Sequence, residues 1–270
     1  MLILVWQVID LLNNQIGFKL RVRYQKISRL RYLSHLEVLR AIERSIRRAE
    51  LPFALTQGFS PHMKIAYSAA LPLGAESLDE YFDVNLTDFV DTKEALKRLQ
   101  DNSPENLYPL DAKYIDPKSD SLTKALTISE YEISLSAPQL SPEHIQLALD
   151  EILNRNYIEF DKKGKIKKLE LQTRFYKKPQ LTTIDTGKYQ LNLITRALDS
   201  GSLRPDILID ALAREIEIAA PDVALCTRVI KFKDLGLDLR FDRFRVFESV
   251  LIKRTAQYIE EVTGELKRGI

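Results

Sequence analysis

Residues 18–64 read FKLRVRYQKISRLRYLSHLEVLRAIERSIRRAELPFALTQGFSPHMK. Phe18–Tyr24 alternates apolar and basic side chains. That predicts a strand with one buried face and one cationic face carrying Lys19, Arg21 and Arg23. Ser34 then opens a helix, because Ser34 and Glu37 stand at capping-box spacing. Leu36, Leu39, Ile42, Ile46 and Ala49 recur every three or four residues as its core stripe, and Leu51-Pro52 stops it. Gln57–Lys64 is a turn rich in breakers, in which Gly58 is free to take positive φ and Pro61 fixes its own.

Outward from this stretch, Ile65–Ala70 and Tyr81–Leu86 read as strands, Asp88–Leu99 as a helix and Leu107–Ile115 as a last strand. The order β-α-β-β-α-β is that of a ferredoxin-like sandwich. Asp116–Ser121 is a linker by composition. The order then recurs imperfectly. A strand at Tyr131–Leu135 precedes a helix capped by Ser141-Pro142, and Tyr157–Phe160 and Leu169–Phe175 flank a basic hairpin. Another strand at Tyr189–Thr195, a helix at Pro205–Ile218 and a strand at Thr227–Phe232 follow. The expected class is therefore α+β, with two ferredoxin-like (βαββαβ) sandwich domains in tandem, the second imperfect. Residues 1–16 form an apolar N-terminal segment, 17–116 the first domain, 122–240 the second and 241–270 a helical tail.

Composition limits the function. Of 270 residues, 45% are hydrophobic and 29% charged, which excludes global disorder. No run of apolar residues is long enough for a membrane-spanning helix. Residues 1–12 lack a basic leader and a cleavage site and contain Asp10, so neither export nor a membrane is expected, and a single Cys favours the cytoplasm. One Cys and three His leave no metal site of the common kinds, and no cofactor is expected. The net charge of +2 hides a strong pattern. Residues 18–64 carry eleven Lys/Arg against three Glu, residues 76–120 twelve Asp/Glu against five Lys/Arg, and residues 161–178 eight Lys/Arg against two acids. Basic segments attract phosphate backbones, and an acidic one steers basic partners.

Candidate site residues follow from that pattern. Arg40, Arg44, Arg47 and Arg48 share one flank of the helix, and guanidinium forks match phosphate oxygens. With Arg21 and Arg23 of the strand, and Ser60 and Lys64 of the turn, they make a candidate phosphate-tracking surface. The plainer alternative is a solvated helix face. His35, near the positive end of the helix, and His62 in the turn are candidate catalytic or site-lining groups, with a packed histidine and a structural turn as their alternatives. The hairpin Lys162–Lys168 (KKGKIKK) adds Lys163 and Lys165. Neither a phosphate-binding GxxxxGK[ST] loop nor a GxGxxG fingerprint is present.

Arg31–Lys64, followed by LPLGAES and DEYFDV, resembles the radical-SAM-linked bacterial domain family of unknown function. Members occur beside a radical S-adenosylmethionine (radical SAM) enzyme or fused to its C-terminus. Ser34, His35, Arg40, Arg47, Arg48, Gly58, Phe59, Pro61, His62, Lys64 and Gly74 sit where the family motif expects them. The sequence departs from it at Glu37 for Asp, Glu50 for Gly and Met63 for Pro. The resemblance is strongest over 18–86 and weaker to 240. It implies a radical SAM partner that carries the radical chemistry. A looser analogy, of fold only, is to CRISPR repeat-processing endonucleases, whose C-terminal glycine-rich loop has no counterpart here.

The resulting expectation is a non-catalytic RNA-binding accessory protein that works with a radical SAM enzyme in tRNA or rRNA modification. Two rivals are a metal-independent RNA endonuclease with His35 as base, and a protein-only scaffold that docks the enzyme through the acidic 76–120 segment.

Overall fold

A computed structural model describes residues 17–162, 164–198, 201–220, 246–261, 263 and 265–270. It is a mixed α+β structure rich in strands. The chain divides into two compact units, one within Met1–Thr127 and Ala256–Ile270, the other within Ile128–Thr255.

In the first unit, β1 (Phe18–Lys26), α1 (His35–Arg48), β2 (Ile65–Tyr67), β3 (Glu76–Leu86), α2 (Thr92–Asn102) and β4 (Leu107–Ile115) follow in order. β1 lies antiparallel between β3 and β4, and β2 pairs with β3 across Ile65↔Val84 and Tyr67↔Phe82. Alternation along β1 sends Leu20, Val22 and Tyr24 into a core with Phe82, Val84 and Leu86 of β3. Val38, Ala41, Ile42 and Ile46 of α1 and Ala95 and Leu99 of α2 complete that core. The buried stripe of α1 is thus centred on Val38, Ile42 and Ile46 rather than on the predicted Leu36, which is 63% exposed. α2 starts later than the sequence predicts, because Asp91 caps it by accepting from the Lys93 and Glu94 backbone N–H groups.

The opposite face of β1 and β3 is charged and covered. A four-residue helix, α3 (Leu122–Ala125), packs against β2 and β3, and the C-terminal end of the chain reaches this face, where the Gly269 carbonyl accepts from Arg21. Tyr81 packs with Leu122 and Leu126, with Ile259 and Ile270 against them. Gly269 passes so close that an added Cβ would come within 2.9 Å of the Tyr81 ring.

The second unit holds β5 (Ile128–Ser136), α4 (Pro142–Arg155), β6 (Tyr157–Lys162), β7 (Lys165–Glu170), β8 (Phe175–Asp185), β9 (Lys188–Leu198), β10 (Gly201–Ser202) and α5 (Pro205–Ala219). β9 lies between β5 and β8, both antiparallel to it, and both long helices carry Pro in their first turn. β6 and β7 form a separate two-stranded hairpin. The sequence merges β7 and β8 into one strand; the chain breaks between them at 171–174.

The helical tail predicted over 241–270 is not found among the described residues. Ser249–Glu260 is β11 and Leu266–Arg268 is β12. Apolar residues at 252, 256 and 259 mimic helical spacing. The strand period is hidden because Arg254 points inward, where its guanidinium donates to the Tyr131 hydroxyl at 3.0 Å. In the second unit β11 lies beside β5, and residues from Ala256 onward belong to the first unit, where they lie beside β3. The strand predicted at 227–232 and the segment 1–16 lie outside the described residues.

Candidate nucleic-acid interface

The strand face predicted to be cationic is paired with acids instead. Arg21 is 4% exposed, and its Nε and Nη2 donate to the two Asp83 oxygens at 2.8 and 3.0 Å. Its third contact is to the Gly269 carbonyl. Arg23 reaches Asp79 at 3.7 Å, and Lys19 reaches Asp83 at 3.7 Å. Register explains the pairing, because Arg21 stands directly opposite Asp83 across β1 and β3. Arg21 is therefore not available to a phosphate, and Arg23 is partly neutralised. Asp79 accepts the Gln257 backbone N–H at 2.6 Å and the Tyr81 hydroxyl at 2.9 Å. Burial nevertheless pushes its carboxyl above the usual carboxylate range. Asp79, Glu80 and Asp83 are buried, whereas Asp88, Asp91, Glu94, Asp101, Glu105, Asp116 and Asp120 of the predicted acidic segment are exposed.

The arginines of α1 behave in the opposite way. Helix geometry places Arg40, Arg44, Arg47 and Arg48 within an arc of about 100°, turned away from the buried stripe. All four are exposed. Among the described residues none of them makes a salt bridge. The Arg47 guanidinium lies over the Phe53 ring, 4.9 Å from its centre. Phe53 opens the loop that ends at Lys64, so this contact joins the arginine face to the base of the turn.

The helix itself is set firmly. Ser34 Oγ accepts from the Glu37 backbone N–H at 3.4 Å, and Glu37 Oε2 accepts from the Ser34 N–H at 2.8 Å. Hydrogen bonds from the Ser34 hydroxyl and backbone, in that order, hold the Glu37 carboxyl below its usual range. The capping box expected from the sequence is present.

The loop is anchored at both sides of its neck. Ala54 N–H donates to Asn85 O and Asn85 N–H to Lys64 O, while Lys64 N–H donates to Ala54 O, all within 2.9 Å. Above them Leu55 bridges Met63, and Thr56 N–H donates to His62 O at 2.7 Å. Met63 is buried in the core, so the Met found where Pro is usual plugs the loop into the body. Gly58 at the tip has φ +130°, a conformation L side chains rarely adopt. Phe59, Ser60, Pro61, His62 and Lys64 are exposed.

The two histidines make separate contacts. The His35 ring meets Tyr67 edge to face, with centroids 6.3 Å apart. Burial, and then Glu43, push the Tyr67 hydroxyl upward, so it stays protonated. His62 Nε2 lies 3.5 Å from Ser60 Oγ. No hydrogen bond or ring contact joins the two histidines among the described residues. Nor do three His, Cys, Asp or Glu side chains converge on a metal-binding arrangement among those residues.

In the second unit, Lys162 pairs opposite Lys165 at the end of the β6–β7 hairpin, and Lys165, Lys167 and Lys168 are exposed. Lys168 sits 4.0 Å from the Tyr157 ring centre and 3.4 Å from Glu170. Lys163 lies outside the described residues. Phe53, Phe59 and Tyr67 are the aromatic members of the first unit's surface that charge-based reading passed over. Their signal is an aromatic beside breakers and cations rather than in a periodic run.

No helix among the described residues is long and apolar enough to cross a membrane. The profile of a family described as "uncharacterized protein conserved in bacteria" (DUF2344) matches residues 19–205. No curated protein matches the chain.

Proposed function

The chain belongs to this bacterial family, and we propose that it is a cytoplasmic, non-catalytic RNA-binding accessory protein. Its partner is a radical SAM enzyme, and its setting is tRNA or rRNA modification. The observation that carries the RNA reading is the exposed arginine face of α1. Arg40–Arg44 and Arg44–Arg48 are like charges four residues apart, and each such pair costs a helix about 0.2–0.5 kcal/mol. A bound polyanion removes that cost and supplies the missing acceptors. Lys64 extends the set within the first unit, and Lys165 is a separate candidate in the second. The radical SAM partner is supported by the sequence resemblance alone. Two ferredoxin-like sandwiches are the architecture we assign; the β4-β1-β3-β2 order of the first unit supports it, as does the β11-β5-β9-β8 order of the second.

Titration of a short RNA at several salt concentrations tests this reading. Arg47→Ala/Arg48→Ala should weaken binding and flatten the slope of log affinity against log salt by about 1.4–1.8, at ~0.7–0.9 per phosphate contact. An unchanged slope excludes the arginine face. The endonuclease alternative gains little from the geometry, because His35 and His62 occupy different contacts. RNA left intact by the protein in EDTA would remove it.

A further inference from the structure

Phe59 stands fully in solvent at the tip of the 53–64 loop. An exposed phenyl group forgoes the roughly 1.5–3 kcal/mol that burial provides, and here it is held out by a built support. The neck of the loop is closed by the Leu55–Met63 bridge and by the Thr56–His62 and Ala54–Lys64 hydrogen bonds, and Met63 is rooted in the core. Gly58 sets the bend just before the ring. His62 also donates its backbone N–H to Thr56 Oγ1 at 2.9 Å, so the approach to the tip is ordered from both sides.

We propose that Phe59 is a stacking platform for an unpaired base, so that this surface takes single-stranded or looped RNA in preference to duplex. The inference rests on the RNA reading above and narrows it. What surrounds the ring selects the occupant. Ser60 and His62 follow it in the loop, Lys64 stands exposed at the loop's neck, and the Arg47–Phe53 contact at the loop's base leads to the arginine face. A flat apolar ring carried on a loop with a cationic base fits a polymer that offers a phosphate and a π face at every step. Duplex RNA offers the phosphates but keeps its base faces stacked and its major groove too narrow for side chains. A loop whose neck is already closed loses little backbone freedom on binding, which favours affinity.

The full chain is titrated with a short single-stranded RNA containing 2-aminopurine, and with a blunt duplex of the same sequence. The native protein should quench the fluorophore and prefer the single strand. Phe59→Ala should lose the quench and bind the single strand roughly 5- to 150-fold more weakly. Its salt slope and duplex affinity should stay unchanged, and Phe59→Trp should restore both quench and affinity. Because the ring is in full contact with solvent, these substitutions leave the fold intact. If Phe59→Ala binds and quenches like the native protein, stacking is wrong while the RNA reading stands. Native protein that binds neither RNA overturns both. A Phe59→Ala variant that keeps RNA affinity but loses a co-purifying protein makes Phe59 a protein anchor, and the proposal fails.

Discussion

Arg21 and Arg48 carry the same guanidinium into opposite surroundings. Arg21 is locked to Asp83 in a two-pronged pair and also meets the Gly269 carbonyl, whereas Arg48 stands in solvent. Removing one partner of a buried pair strands the other charge, which costs about 3–5 kcal/mol. Asp83→Ala should therefore lower the urea midpoint by that equivalent. Arg48→Ala should stay within about 0.5 kcal/mol of the native protein. Equal effects would mean that the Asp83 pair is solvated in the native state. The sequence announces eleven cations between 18 and 64, but it does not say which of them face an acid. That depends on strand register, which joins Arg21 to a residue 62 positions away. The shared flank of the α1 arginines is legible because helical spacing is local.

At the scale of the element, α1 shows what a local reading catches and misses. Its N-terminal cap is written in Ser34 and Glu37, and its stop in Leu51-Pro52. Its C-terminal turn is less obvious. Glu50 N–H donates to Arg47 O at 3.2 Å and Leu51 N–H to Ile46 O at 3.4 Å, with Glu50 at φ +50°. This is a Schellman closure, whose left-handed residue is normally Gly. The family that the sequence resembles usually has Gly there. Glu50→Gly should stabilise the protein by about 0.5–1 kcal/mol, since a side chain in that conformation is strained. A lower urea midpoint would show that Glu50 makes a compensating contact. The inward face of α1 was harder to place, because Leu36 fits the 3/4 pattern yet sits beside the arginines, where no layer covers it. β11 was missed for the converse reason: it buries a charged residue, Arg254, which breaks the apolar alternation that marks a strand.

For the whole molecule, the closing segment matters most. Residues 256–270 return to the first unit, where β11 extends the sheet beside β3 and Gly269 and Ile270 pack on the face where Arg21, Asp79, Tyr81 and Asp83 meet. Gly269 fits there only because it has no Cβ. Gly269→Val should wedge against Tyr81, at a cost of about 1–3 kcal/mol. Hydrogen exchange should quicken at residues 79–83 and 256–260 while α4 and β9 keep their protection. Uniform loss across both units would mean that the segment does not act as a local latch. The order of elements over residues 18–115 is legible in the sequence almost as observed. This closure is not, because the closing segment is separated from the strands it meets by the entire second unit.

That separation has a consequence in time. A ribosome adds roughly 5–20 residues per second, so residue 256 follows residue 127 by roughly 6–26 seconds. Through that interval the first unit lacks the segment whose Gln257 and Gly269 meet Asp79 and Arg21, so water reaches aspartates that the finished molecule keeps dry. Synthesis interrupted near residue 240 leaves that unit unroofed, although every residue of its bacterial family signature has already been made.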